Sequence, residues 1–243
     1  MRMLTLAQRN AKEILRDPLN LAFGLGFPLV LIMLLSAIQA NIPVPMFEIV
    51  HLTPGIAAFG LSFMSLFSAN IIAKDRSSAL LQRLYTTPLT ATDFILGYTL
   101  PMLPIALAQT VITYGAAVAL GLPLTVHILY GILATVPVAV LYIALGLLCG
   151  SVFNDKQVGG ICGALLTNVS AWLSGIWFDL NLVGGVFQKI ADFLPFVHGV
   201  ELGRAALAGH FSAMLAHFWW VLGYALAVMV LAVLLFLRQM KRQ

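Results

Sequence analysis

The sequence predicts an all-α polytopic membrane protein with six transmembrane helices, an N-terminal interfacial helix, a cytoplasmic helix after the second span and an outer segment before the sixth. Three observations carry this prediction. The 243 residues are 61% hydrophobic and 9% charged, against about 25% charged in an ordinary soluble domain. The charges fall between long stretches that hold no Asp, Glu, Lys or Arg. The basic residues crowd onto alternate connections, which sets an orientation.

The charge-free stretches are residues 18–47, 49–73, 94–154, 157–178 and 205–237. A hydrocarbon core of about 30 Å takes about 20 helical residues, so these hold one, one, two, one and one spans. The double stretch divides at residues 121–127, where Gly121 and Pro123 supply a turn. The first stretch is expected to be a retained span. Its apolar run is too long for a usual signal core, and no small-residue cleavage site follows before Asn41. Pro101 and Pro104 open the third span and Pro137 lies inside the fourth, so kinks are expected there. The pairs Gly146/Gly150 and Gly159/Gly163 are spaced for close helix approach within the chain.

Eleven of the 13 basic residues fall on one side of this topology: Arg2, Arg9, Lys12 and Arg16, then Lys74, Arg76 and Arg83, then Lys156, then Arg238, Lys241 and Arg242. Only Lys189 and Arg204 fall on the other. Both termini are therefore expected in the cytoplasm. The net charge of +4 is distributed as a topology signal, and no nucleic-acid partner is expected. Cys149 and Cys162 fall near the inner face, where no disulfide is expected. The two three-span halves show no internal repeat.

Two inner segments are amphipathic. In residues 1–17, Leu4, Ala7, Ala11, Ile14 and Leu15 recur at helical spacing, with Arg9, Lys12, Glu13 and Arg16 opposite them. Such a segment lies in the interface with its basic side toward headgroups. Residues 74–93 form a charged knuckle in which Leu80, Leu81, Leu84 and Tyr85 make an apolar patch beside Lys74, Asp75, Arg76 and Arg83. Thr87-Pro88 ends it, and Thr90 or Thr92 can cap a following helix. The knuckle either orients the second and third spans or docks a cytoplasmic partner. These patterns leave both open.

No G-x-x-x-x-G-K-[ST] loop is present, so the chain has no phosphate cradle of that kind, and no H-E-x-x-H or G-x-S-x-G motif occurs. No expected span carries an ionisable Asp, Glu, Lys or Arg near its centre, which weighs against the usual proton relay. Ser62, Ser65, Asn168 and Ser170 are polar candidates to line a substrate route; bonding to their own helices is the alternative. His51, His127, His198, His210 and His217 all fall at the outer side. The simplest expectation is five separate interfacial side chains, and the alternative is a proton or zinc effect at the exit. Trp172, Trp177, Trp219 and Trp220 are expected to form an outer anchoring belt.

The order of these features resembles the membrane-spanning permease subunit of ABC-2 type ABC exporters. Asp75-Arg76, Ser77-Ser78, Leu80-Leu81-Leu84, Thr87-Pro88-Leu89 and Gly97 are similar to the family's coupling segment, with Ser78 and Ala79 where a Gly-Thr pair is usual. Residues 172–181, WLSGIWFDLN, and 194–209 resemble the family's outer segment, with Asp179 in place of a proline. The resemblance implies one transmembrane domain over 1–243. It implies an ATPase-coupling site at Lys74, Asp75, Arg76, Leu80, Leu81, Arg83, Leu84, Thr87 and Pro88. An outer, partly re-entrant segment would lie at 179–212, and Ser174, Gly175, Phe178, Pro195, Glu201 and Arg204 would be gate residues. It implies a homodimer, or a heterodimer with a similar permease, in a prokaryotic inner membrane. Two cytoplasmic ATPase subunits would bind ATP and Mg, this chain would bind no cofactor and do no catalysis, and an amphiphile would move outward. An ion-driven transporter or channel, and a nontransporting scaffold, are the alternatives.

Overall fold

The computed structural model describes residues 2–78 and 90–240, which are helical almost throughout, with no strand among the described residues. Helix α1 (Arg2–Leu15) is followed by α2 (Pro18–Leu21) and a π-helical stretch, Ala22–Gly26, that runs into α3 (Phe27–Asn41). Then come α4 (Ile49–Ser77), α5 (Ala91–Thr99), α6 (Met102–Ala119) and α7 (His127–Val152). After α8 (Asp155–Val158), a second π-helical stretch, Gly159–Leu166, leads into α9 (Thr167–Trp172). The outer segment forms α10 (Leu180–Val183), α11 (Gly185–Phe193) and α12 (Pro195–Ala208), before α13 (Phe211–Met240).

Five helical stretches among the described residues are long and apolar enough to cross a membrane: Ala22–Asn41, Ile49–Ser77, Thr92–Ala119, His127–Val152 and Phe211–Phe236. The fifth expected span, within residues 157–178, is not of that class. Its helical run starts with Asp155 and Lys156 and stops at Trp172, because the chain turns at Gly175 with φ +68°. The apolar part is correspondingly short.

Helix α4 is the central post. Of its apolar window 83% is buried, against 17% for α13 and 22% for residues 22–41. Small residues make this possible, since Ala57, Ala58, Gly60, Ser62, Ser65, Ser68 and Ala69 let neighbouring backbones approach from several sides. Gly146 and Gly150 of α7 use that access: a Cβ on Gly150 would lie 2.7 Å from the Ala69 carbonyl oxygen, and one on Gly146 would collide with Ser65. The second glycine pair behaves differently. A Cβ on Gly159 would meet nothing within 4 Å, and one on Gly163 would meet only the end of the Leu66 side chain, at 3.3 Å.

The knuckle was expected to begin at Lys74, yet α4 continues to Ser77 with Asp75 buried in its last turn. Of the two cap candidates Thr90 is used, in a reciprocal capping box with Asp93. The face of α1 also differs from the expected one: Leu6, Ala7, Asn10 and Ile14 pack inward, while Leu4 and Leu15 point away. Periodicity located an amphipathic helix but not which side meets protein, because Asn10 is admitted to the buried side by a specific hydrogen bond described below. Pro101 separates α5 from α6 and Pro137 is buried within α7, while Pro54 lies inside α4, where Gly203 packs on it.

The outer segment is not a loose loop. Helix α12 is packed among α4, α7 and α13, with Val200, Leu202 and Ala206 fully buried. Pro195 starts it at the first helical turn, where a missing N–H costs nothing, and Gly209 ends it in the left-handed region at φ +73°.

Candidate functional site

Helix α4 ends before residues 79–89 and α5 begins after them, and both helices are tied to α1, α4 through Asp75 and α5 through Gly97 in its last turn. Asp75 is the centre of this clamp. Its side chain is 1% exposed, and it accepts from Arg9 twice, Nη1 to Oδ2 at 2.5 Å and Nη2 to Oδ1 at 2.7 Å. The Tyr98 hydroxyl, on α5, donates to the same Oδ2 at 2.6 Å. A carboxylate this deep needs several donors, and a bidentate guanidinium supplies two in one rigid plane. Burial pulls the Arg9 pKa down, but the hydrogen bond to Asp75 and the charges of Asp75 and Glu13 raise it overall, so Arg9 stays cationic.

The neighbours extend the clamp. Asn10 donates to the Gly97 carbonyl at 3.0 Å, and a Cβ on Gly97 would lie 2.6 Å from Leu6 Cδ2. That glycine lets α1 lie directly on α5. Glu13 bridges Arg9 at 2.7 Å and Lys74 at 2.9 Å; the exposed Lys74 end adds little. Arg76 reaches the other way, to α7. It donates to the Ser151 carbonyl and, at 2.8 Å, to that of Phe153. These carbonyls lie at the C-terminal end of α7, where helices leave acceptors unpaired, so Arg76 caps α7 and ties it to the end of α4.

A cavity of about 1000 Å³ opens beside the clamp between α1 and α4. Arg9, Lys12, Arg16 and Lys74 line it with Glu13, Asp17 and Asp155, and Phe67 and Ile71 form its apolar side. No nucleophile with an adjacent base appears in it, and no group of three or more His, Cys, Asp or Glu side chains able to hold a metal occurs among the described residues.

Of the expected coupling residues, Lys74, Asp75 and Arg76 come together here. Leu80, Leu81, Arg83, Leu84, Thr87 and Pro88 lie outside the described residues. Sequence reasoning missed Arg9, Asn10 and Tyr98 as members. Asn10 gave one signal, a polar amide on the inward side of an amphipathic helix.

Some of the expected gate residues also meet. Arg204 pairs with Glu201 at 2.7 Å and donates to the carbonyls of Gly175 and His51, both at 3.3 Å. It thus pins α12 to the turn after α9 and to the outer end of α4. Ser174 bonds back to the Ala171 carbonyl, Phe178 leans on Phe187, and Pro195 sits at the start of α12. An outer cavity of about 690 Å³ is lined by Glu48, His51, Asp179, Asp192, Glu201 and Arg204.

The route candidates are dispersed. Ser62, Ser65 and Ser170 are buried and bond to carbonyls of their own helices, while Asn168 is exposed and donates to the Ala164 carbonyl. A row of rings that sequence reasoning did not group runs instead along α3 and α4: Phe23 and Phe27 flank Phe63, which meets Phe59, which meets Trp177 at 5.6 Å. Trp177, one of the four tryptophans expected in the anchoring belt, takes part in this stack. A second buried polar group was also missed, Gln109, Thr110 and Thr113 of α6, with Thr135 of α7 against Thr110 at 3.3 Å.

A protein-family model described as ABC-2 type transporter matches residues 1–208. No curated protein matches the chain.

Proposed function

The chain belongs to the ABC-2 type transporter family, and from that premise we propose that it is the membrane permease of an ATP-driven exporter. ATP is hydrolysed with Mg by two separate cytoplasmic ATPase subunits, and two permeases, identical or similar, form the pathway for an amphiphilic substrate. Both termini lie in the cytoplasm of a prokaryotic cell, and residues 79–89 are the handle.

The observation that carries this reading is the clamp around Asp75. A partner that moves residues 79–89 cannot move them alone. The Arg9–Asp75–Tyr98 contacts oblige α1, α4 and α5 to move together, and Arg76 adds α7. Helix α4 then carries the displacement to the outer end, where Arg204 holds the His51 carbonyl and Gly203 rests on Pro54. The inner cavity offers both charged and apolar walls to an amphiphile, and outward passage follows when the α12 contacts yield.

The test is co-purification and turnover. The isolated chain is expected to hydrolyse no ATP and to retain a Walker-type ATPase when the two are co-expressed. Charge reversal at Arg83 or Leu84→Asp is expected to lose that ATPase while the chain stays in the membrane. Ion-gradient-driven flux by the chain alone in liposomes, or labelling of residues 79–89 from outside, would defeat the proposal.

A further inference from the structure

The outer end holds a contact that the exporter reading does not use. His198 of α12 and His217 of α13 face each other with their Nδ1 atoms 2.8 Å apart and ring centres at 5.1 Å. The other nitrogen of His198, Nε2, lies 2.8 Å from the Asp192 carbonyl oxygen at the end of α11. Trp220 packs on His198 at 5.0 Å, and its Nε1 donates to the Phe193 carbonyl, as does the Tyr224 hydroxyl. The junction between α11 and α12 is therefore held to α13 by three contacts, through His217, Trp220 and Tyr224, of which the His198–His217 contact alone changes charge near neutral pH. The five outer histidines are not all separate interfacial residues.

The hydrogen positions follow from the partners. A carbonyl oxygen only accepts, so His198 carries its hydrogen on Nε2 and presents a bare Nδ1. The hydrogen between the rings then belongs to His217 Nδ1, and the remaining bare nitrogen is His217 Nε2. A first added proton goes to that nitrogen, and the contact persists in charge-assisted form. A second must go to His198 Nδ1, which sets two N–H groups and two cations head to head. The contact cannot survive it.

The charged and titratable groups at this end are known from each packed element. Helix α12 adds Glu201 and Arg204, bound to each other at 2.7 Å. Helix α11 adds Lys189 and Asp192, α4 adds His51, α7 adds His127, and α13 adds His210 and Tyr224. His198 and Glu201 both act electrostatically on His217.

We propose that His198 and His217 form a proton-operated latch, which holds α12 against α13 and releases it when acidification gives the pair a second proton. The latch follows from the ring geometry. Its consequence, an export gate eased by external acid, rests on the function proposed above.

Hydrogen exchange on the full chain in lipid nanodiscs tests it without ATPase or substrate, so a failure here is distinct from a failure of the exporter reading. Between about pH 8 and about pH 5, amides of residues 192–204, corrected for intrinsic rate, are expected to lose about fivefold of their protection, the worth of one hydrogen bond. His217→Gln should keep that protection at both pH values, because its amide either donates to or accepts from His198 and takes no charge. His217→Phe should lack it at both. Protection in the unmodified chain that is unchanged by pH, or a His217→Gln chain that loses as much as the unmodified one, overturns the latch. So does a nitrogen-15 spectrum at the upper pH that places the hydrogen on His198 Nδ1.

Discussion

Removing Arg9 and removing the charge of Asp75 delete the same ion pair, yet they are expected to cost different amounts. Asp75 is 1% exposed and Arg9 is 38% exposed. In Arg9→Ala the carboxylate stays buried with the Tyr98 hydroxyl as its remaining donor at 2.6 Å. Breaking a buried pair in this way costs about 3 kcal/mol, the low end of the range because Arg9 is partly solvated. In Asp75→Asn the volume is kept and Tyr98 still has an acceptor, while Arg9 retains Glu13 at 2.7 Å. That change should cost about 1 kcal/mol. The double variant leaves no stranded charge and should cost about 2 kcal/mol, so the two changes together cost less than their sum by about 2 kcal/mol. Reversible unfolding of the three variants in mixed micelles, read by helical circular dichroism, measures these differences. An Arg9→Ala cost no larger than that of Asp75→Asn, or strict additivity, would refute the assignment of Asp75 as a buried, donor-dependent carboxylate.

Two further outcomes follow from the helix contacts. Gly150→Ala should destabilise by about 1–3 kcal/mol, since its Cβ meets the Ala69 backbone at 2.7 Å and backbone cannot step aside; Gly159→Ala, with open space around it, should be neutral or stabilise by up to about 1 kcal/mol in the same unfolding assay. Arg76→Ala should free the carbonyls of Ser151 and Phe153 and speed amide exchange over residues 151–158 by about tenfold or more. Arg76→Lys should restore only part of the protection, because an ammonium lacks the fork that reaches both carbonyls.

How far the sequence was legible depended on the range of the interaction involved. Gly146 and Gly150 could be read as a contact face because spacing along one helix encodes it. Glu201 and Arg204 could be paired because three residues on one helix bring them together. The Thr90 cap was similarly local. The inward side of α1 was not legible, since Leu6 and Asn10 are selected by Gly97, 87 residues beyond Asn10. The length of the helix in the fifth expected span was not legible, because a charge-free stretch does not show where a helix turns, and this one stops at Trp172 before the turn at Gly175.

By itself the sequence determined a multi-pass helical membrane protein and where its charged segments interrupt the apolar helices. Lipid imposes those features residue by residue: backbone groups must bond within each helix, and charge is expelled from the core. Only the tertiary structure decided which charges meet. Arg9 finds Asp75 across 66 positions, and His198 finds His217 on the next helix. Such partners are chosen by how helices cross and rotate, through small-residue contacts such as Gly97 on Leu6 and Gly150 on Ala69, and no periodicity within a single helix records that choice.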